Sequence, residues 1–183
     1  EFRRVLFRSV KADLSHINSL SRIAKEQFMN LDATAVRNLE LIKNMRDGSK
    51  RGTLLDVLDF TSTSMGARKL RNWIECPLLD LSQIRSRQEA VGELLANIQL
   101  RGNLQEKLKA IFDLERIVSR IEVGSANARD LVSLRSSLAV LPEIKSLLRS
   151  CNSKLLQQLC EDVHLHQELF TTLMAAIVEI GRA

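Results

Sequence analysis

Apolar residues recur at three- and four-residue spacing along almost the whole chain, and capping residues cut that pattern into pieces. This period belongs to α-helices packed by one face, and it leaves little room for the two-residue alternation of strands. Leu14, Ile17, Leu20 and Ile23 share one face. Thr53 reads as a helix N-cap with Asp56 returning the bond, ahead of a helix expected to bury Leu54, Leu55, Leu58 and Phe60. Thr61 to Ser64 interrupt it, because hydroxyls compete for backbone hydrogen bonds. Met65 to Ile74 resume it with Leu70, Trp73 and Ile74, and Pro77 stops it. Asp80, with Gln83 at the third position, starts a stripe of Leu81, Ile84, Val91, Leu94, Leu95 and Ile98.

Five further stripes follow. Leu104, Leu108 and Ile111 come after Gly102, and Leu114, Ile117 and Ile121 end before Gly124. Asn127, with Asp130, caps a helix expected to bury Leu131, Leu134, Leu138 and Leu141. Pro142 suits the first turn of a separate helix carrying Ile144, Leu147 and Leu148. The last stripe is Leu169, Phe170, Leu173, Ile177 and Val178. Phe28–Asp32 and Asn38–Leu41 read as short extended pieces near 28–41, and Asp47–Gly52 as a loop. The predicted fold is all-α, a multi-helix array with short connections.

Composition agrees. Aromatics at 4%, 7 Gly and 2 Pro in 183 residues disfavour an all-β domain. The length allows one domain with a real core. The apolar run Leu173–Val178 falls far short of the roughly 18 residues a membrane-spanning helix needs. Three cysteines (Cys76, Cys151 and Cys160) without a Cys-x-x-Cys pair point to a reducing, cytoplasmic setting and away from zinc. Arg3, Arg4 and Arg8 break up any secretory apolar region.

Both ends carry a peculiarity. Val5–Ser9 can be encoded by GTG CTC TTC CGA TCT, and Ile180–Ala183 by ATC GGA AGA GCA, which lies within its reverse complement. Residues 1–9 and 180–183 are therefore expected to be translated sequencing adapter and are set aside in fold reasoning. Together they carry a net +3, so the chain's +5 falls to +2 without them. The basic balance is then no argument for nucleic-acid binding.

Motifs for catalysis are missing. Gly48 to Thr53 resembles a phosphate-binding loop only in part, since no Lys follows its second Gly. His164 and His166 are two apart and face different ways on a helix, and His16 stands alone. Cys160 lies in a helical stripe, where packing suits it better than nucleophilic chemistry. Lys50, Arg51, Arg68, Lys69, Arg71, Arg85 and Arg87 are scattered cations without the aromatic interleaving that base stacking needs. Asp113-Leu114-Glu115-Arg116-Ile117-Val118-Ser119-Arg120 packs charge around an apolar stripe, as a solvated face or as an ion-pair network between helices.

Several strings also occur in a telling order. Phe28-Met29-Asn30-Leu31-Asp32, Asn38-Leu39-Glu40-Leu41 and Gly52-Thr53-Leu54-Leu55 precede Leu58-Asp59-x-Thr61-x-Thr63-x-Met65-Gly66-x-Arg68. Trp73-Ile74, Pro77-Leu78, Ile84-x-x-Arg87, Asp113-Leu114-Glu115-Arg116, Ala126-Asn127-x-Arg129-Asp130-Leu131 and Leu141-Pro142 follow. From about residue 28 to 179 this resembles the first half of the core, or lever, domain of the MutS family of DNA mismatch-recognition ATPases. Ala128 stands where the family often has Pro, and Val36 where it often has a second Arg beside Arg37.

The resemblance implies a helical core that packs on a connector domain and couples a DNA clamp to an ATPase. Residues 10–27 would then be the exit from the connector. No family catalytic, metal or mismatch-contacting residue falls on this stretch. ATP and magnesium would belong to the rest of a full-length protein. So would the partners: the other MutS domains, mismatched double-stranded DNA, a second MutS subunit and MutL. The matched positions imply structural or coupling roles for Asp59, Thr61, Thr63, Gly66, Arg68, Trp73, Pro77, Asp113, Glu115, Arg116, Arg120, Arg129 and Asp130. Gly66 is expected to allow a close helix approach, Asp59, Thr61 and Thr63 to hold the helix break, and Trp73 and Pro77 to anchor and end the second piece. Asp113, Glu115, Arg116 and Arg120 are expected to link neighbouring helices, and Arg129 to pair with Asp130. Other readings are the core of a MutS-like paralogue acting on recombination or ribosomes, and a stand-alone helical interaction module.

Overall fold

A computed structural model describes residues 27–177. The stripe from Leu14 to Ile23, the connector exit up to residue 26, Val178 and both proposed adapter segments lie outside the described residues. Among the described residues the chain forms nine helices: α1 Ala33–Asn38, α2 Leu54–Leu58, α3 Ser64–Glu75, α4 Leu81–Ala96, α5 Ile98–Lys109, α6 Leu114–Glu122, α7 Ala128–Leu148, α8 Lys154–Asp162 and α9 Gln167–Ala176. The fold is all-α. The β-type pairing among these residues is one antiparallel bridge, Phe28 with Leu78. It is flanked by the Met29 N–H on the Pro77 carbonyl at 2.8 Å and the Leu79 N–H on the Gln27 carbonyl at 3.1 Å.

The predicted caps form where local chemistry placed them. Thr53 Oγ1 accepts from the Asp56 N–H. Asp80 accepts from Ser82 and Gln83. Asn127 and Asp130 close a reciprocal capping box. Each occupies an otherwise orphaned N–H of a first turn.

Three apolar clusters organise the chain. The first joins Leu41, Leu55 and Ile74, with Leu31, Val36, Ile42 and Leu70 against them. The second gathers Ala90, Leu100, Leu104, Ile144, Leu148, Cys151, Leu156 and Cys160, from α4, α5, the end of α7 and α8. The third holds Ile117, Leu134, Leu138 and Leu173, from α6, the start of α7 and α9. Cys151 and Cys160 are buried and free, so they pack as small apolar groups.

Four expectations need correction. Asn38–Leu41 is not extended: α1 ends there in a Schellman turn, with the Leu41 N–H on the Val36 carbonyl and the Glu40 N–H on the Arg37 carbonyl. Glu40 takes the left-handed position at φ 46° that glycine usually fills. Pro142 starts no new helix but lies inside α7. Leu134, Leu138, Ile144 and Leu148 are buried along α7 on both sides of it, and that packing outweighs the cost of one missing hydrogen bond. The stripe after Asp80 is not one buried face. Leu81, Val91, Leu95 and Ile98 are exposed while Ala90 is buried, and Asn97 ends α4 and caps α5. Phe60 is 82% exposed, and of the α2 residues only Leu55 is buried.

Candidate functional site

The helix break between α2 and α3 is built from its own side chains. Asp59 Oδ1 accepts the Thr61 hydroxyl at 2.6 Å, and Asp59 also pairs with Lys50. These partners, Lys50 foremost, hold the Asp59 carboxyl below its ordinary range. Thr63 Oγ1 accepts the Gly66 N–H at 2.9 Å and so caps α3. A Cβ on Gly66 would stand 3.0 Å from Thr63 Oγ1 and 3.5 Å from Thr61 Cβ. The close approach is therefore to its own capping turn and not to a neighbouring helix, as the sequence reading supposed.

One turn into α3, Arg68 reaches the start of α6. Its Nη1 and Nη2 donate to Asp113 at 2.8 and 2.7 Å, and Nε and Nη2 donate to Glu115 at 3.0 and 2.5 Å. A planar guanidinium can serve two carboxylates in this way. Asp113 also caps α6, accepting from the Arg116 N–H. Arg68 foremost, with the Arg116 N–H, holds the Asp113 carboxyl down at about 2 against the opposing effect of burial. Asp113, then Glu115, pushes the Arg68 guanidinium above its ordinary value.

A second link joins α6 to α7. Arg120 donates to Asp130 through Nε at 3.0 Å and Nη2 at 2.5 Å. Arg129 forms no ion pair among the described residues, so the expected Arg129–Asp130 pair is replaced by Arg120–Asp130. Adjacent residues on a helix point in different directions, whereas Arg120 faces Asp130 across the turn at Gly124. Among the described residues Arg116 bridges no helices either. It stays on the surface, 3.5 Å from Asp113 at the start of its own helix.

Trp73 is stacked under the Arg87 guanidinium, 3.9 Å from its ring centre, which ties α3 to α4. Lys50, Arg68 and Arg71 are engaged by carboxylates. With Arg87 lying on Trp73, four of the scattered cations serve internal contacts.

Three polar residues went unnoticed in the sequence. Glu93 of α4 accepts the Asn152 and Ser153 N–H groups at 2.6 and 2.7 Å, capping α8 from another helix, while Ser153 makes no side-chain cap of its own. Ser137 is fully buried in α7. Its hydroxyl donates to the Ser133 carbonyl at 2.8 Å and accepts the Phe112 N–H at 3.0 Å. Asn44 organises the loop after α1, accepting from Asp47 and Gly48 and donating to Ser49 and Arg51. The Asp47-Gly48 turn advertised that loop. Nothing local advertised Glu93 or Ser137, whose partners lie 59 and 25 residues away.

A groove of about 720 Å³ beside α1 has Leu31, Val36, Ile42 and Met45 in its lining, together with Arg37, Lys43 and Glu75. No group of three or more potential metal ligands exists among the described residues. His164 and His166 stand edge to face, their ring centres 6.2 Å apart.

The family described as MutS domain III matches residues 34–181, most of the chain. The chain belongs to the MutS domain III family. It is 42% identical to the DNA mismatch repair protein MutS of Exiguobacterium sp., over 95% of this chain and 21% of that protein. It is 45% identical to the MutS of Symbiobacterium thermophilum, over 92% and 19%. It is 46% identical to that of Pelotomaculum thermopropionicum, over 91% and 20%. The chain thus spans about a fifth of the length of these MutS proteins. No helix among the described residues is long and apolar enough to cross a membrane.

Proposed function

We propose that this MutS domain III segment works inside a cytoplasmic DNA mismatch-recognition ATPase, as the helical core that couples a DNA clamp to the ATPase and packs on the connector. In this reading the segment itself is not an enzyme. ATP and magnesium bind elsewhere in the full-length protein. Its partners are the remaining MutS domains, mismatched double-stranded DNA, a second MutS subunit and MutL.

The supporting observation is the Arg68 junction. One side chain joins α3 to the N-terminal end of α6 through two carboxylates, and Arg120–Asp130 passes the connection on to α7. Packed helices joined by directional ion pairs can hold two discrete arrangements, and two sites can bias such an element in common.

The test is Arg68→Gln in a full-length protein carrying this segment. The expected result is folded protein that binds mismatched DNA but no longer changes its nucleotide release on binding. Normal mismatch-triggered release in that variant would refute the coupling role. ATP hydrolysis by the pure 183-residue chain would refute the division of labour.

A further inference from the structure

Two of the three apolar clusters form helical bodies that share a single helix. Leu131, Leu134, Leu138 and Leu141 of α7 belong with α6 and α9. Val140, Ile144, Leu147 and Leu148 of α7 belong with α4, α5 and α8. The change of allegiance falls at residues 140–141, and Pro142 follows at once. Proline has no N–H, so the Leu138 carbonyl receives no bond from the residue one turn on, and the ring crowds that turn. Of all points along α7, this one resists bending least.

The chain passes between the two bodies at two other places, and both are irregular. Ile111 packs with the α4–α5–α8 body and Leu114 with the other, so the first crossing is Phe112–Asp113. The second is the loop from Val163 to His166, where His166 takes φ 46°. Both crossings are pinned to α7 on either side of Pro142. Ser137 accepts the Phe112 N–H at 3.0 Å, and Lys145 Nζ donates to the Val163 carbonyl at 2.6 Å. Every chain connection between the bodies among the described residues therefore converges on the Pro142 turn.

Helix α3 touches both bodies across this line. Arg68 holds Asp113 and Glu115 on the α6 side, and Trp73 lies under Arg87 of α4 on the other. From this convergence we infer that α7 is hinged at Pro142 between two rigid helical bodies, and that α3 is a strap across the hinge with Arg68 as its clasp. A strap of this kind limits the excursion of the hinge, and breaking its charged end releases it.

Distances between spin labels on the full 183-residue chain test this, in a Cys76→Ser background that leaves only the two buried cysteines. A between-body pair uses Gln158→Cys on α8 and Thr172→Cys on α9. A within-body pair uses Glu89→Cys on α4 and Gln158→Cys. The between-body distribution is expected to be the broader of the two, to narrow with Pro142→Ala, and to broaden with Arg68→Gln. The within-body distribution should stay unchanged throughout. Equal widths for the two pairs in the parent chain would overturn the hinge without need of any further variant. No narrowing in a folded Pro142→Ala chain would overturn the role of the proline, and no broadening with Arg68→Gln would overturn the strap.

Discussion

Arg68 closes on Asp113 through two hydrogen bonds, Nη1 to Oδ2 at 2.8 Å and Nη2 to Oδ1 at 2.7 Å, across 45 residues of chain. Asp113 has two duties, as partner of Arg68 and as N-cap of α6. Substitutions can separate them. Asn caps a helix about as well as Asp but carries no charge. Asp113→Asn is expected to cost about 1 kcal/mol through the ion pair, allowing for its contact with solvent. Asp113→Ala should cost about 1 kcal/mol more through the lost cap. Urea titration of the three chains reads both quantities, and equal losses in the two variants would contradict the double role.

The same carboxylate gives a pH dependence of known sign. Its folded value is about 2 against an ordinary 3.8, so the folded state favours the ionised form. The contribution is complete above pH 3.8 and is lost as the pH falls toward 2. The stability gap between the parent chain and Asp113→Asn should therefore shrink over that interval. A gap that persists at the acid end would assign the effect to something other than ionisation.

Glu93 caps α8 from outside the helix, and the Asn152 and Ser153 N–H groups hold its carboxyl below its ordinary 4.5. Glu93→Ala should leave those donors to water and let the first turn of α8 fray. Amide hydrogen exchange at residues 152 and 153 should accelerate, while that in α6 should not. The capping contribution is full above pH 4.5 and fades as the pH falls through the lowered value. Unchanged exchange at these two amides would count against the cap.

Ser137 is a polar residue with no exposed surface, and both its hydrogen-bonding capacities are used. Ser137→Ala leaves the Phe112 N–H without an acceptor. That should cost about 0.5–1.5 kcal/mol, the usual net worth of one hydrogen bond. For a chain of this size each kcal/mol lowers Tm by about 2–4 °C. Thermal melting at neutral pH measures the shift, and an unaltered Tm would show that Phe112 finds another partner.

Ile117 sits in the α6–α7–α9 cluster with 2% exposure. Ile117→Val should cost about 0.5–1.5 kcal/mol and Ile117→Ala about 2–5 kcal/mol, as the cavity grows. Val118, beside it on the exposed side of α6, should tolerate Ala with little loss. If Val118→Ala proved the more damaging, the assignment of the buried face would be wrong.

Thr53, Asp80 and Asn127 were legible as caps because a cap is a contract between residues three apart, and no distant part of the molecule needs to be known. The all-α class was legible for the same reason, since a 3.6-residue period is a property of a dozen neighbouring residues. The string from Thr61 to Arg68, taken together with Asp113-Leu114-Glu115-Arg116 at its distance, suggested the family. Tertiary structure alone decided that α7 runs through Pro142, because the burial of Ile144 and Leu148 outweighs a local rule. It also decided which partner each charge takes. Helix geometry turns Arg129 away from its neighbour Asp130, but only the fold brings Arg120 to it, and Arg68 could meet phosphate or carboxylate with nothing local to choose between them. The choice follows from where the helices come to rest: a charge pairs with whatever lies within about 3 Å of it in space, and the sequence records only what lies beside it in the chain.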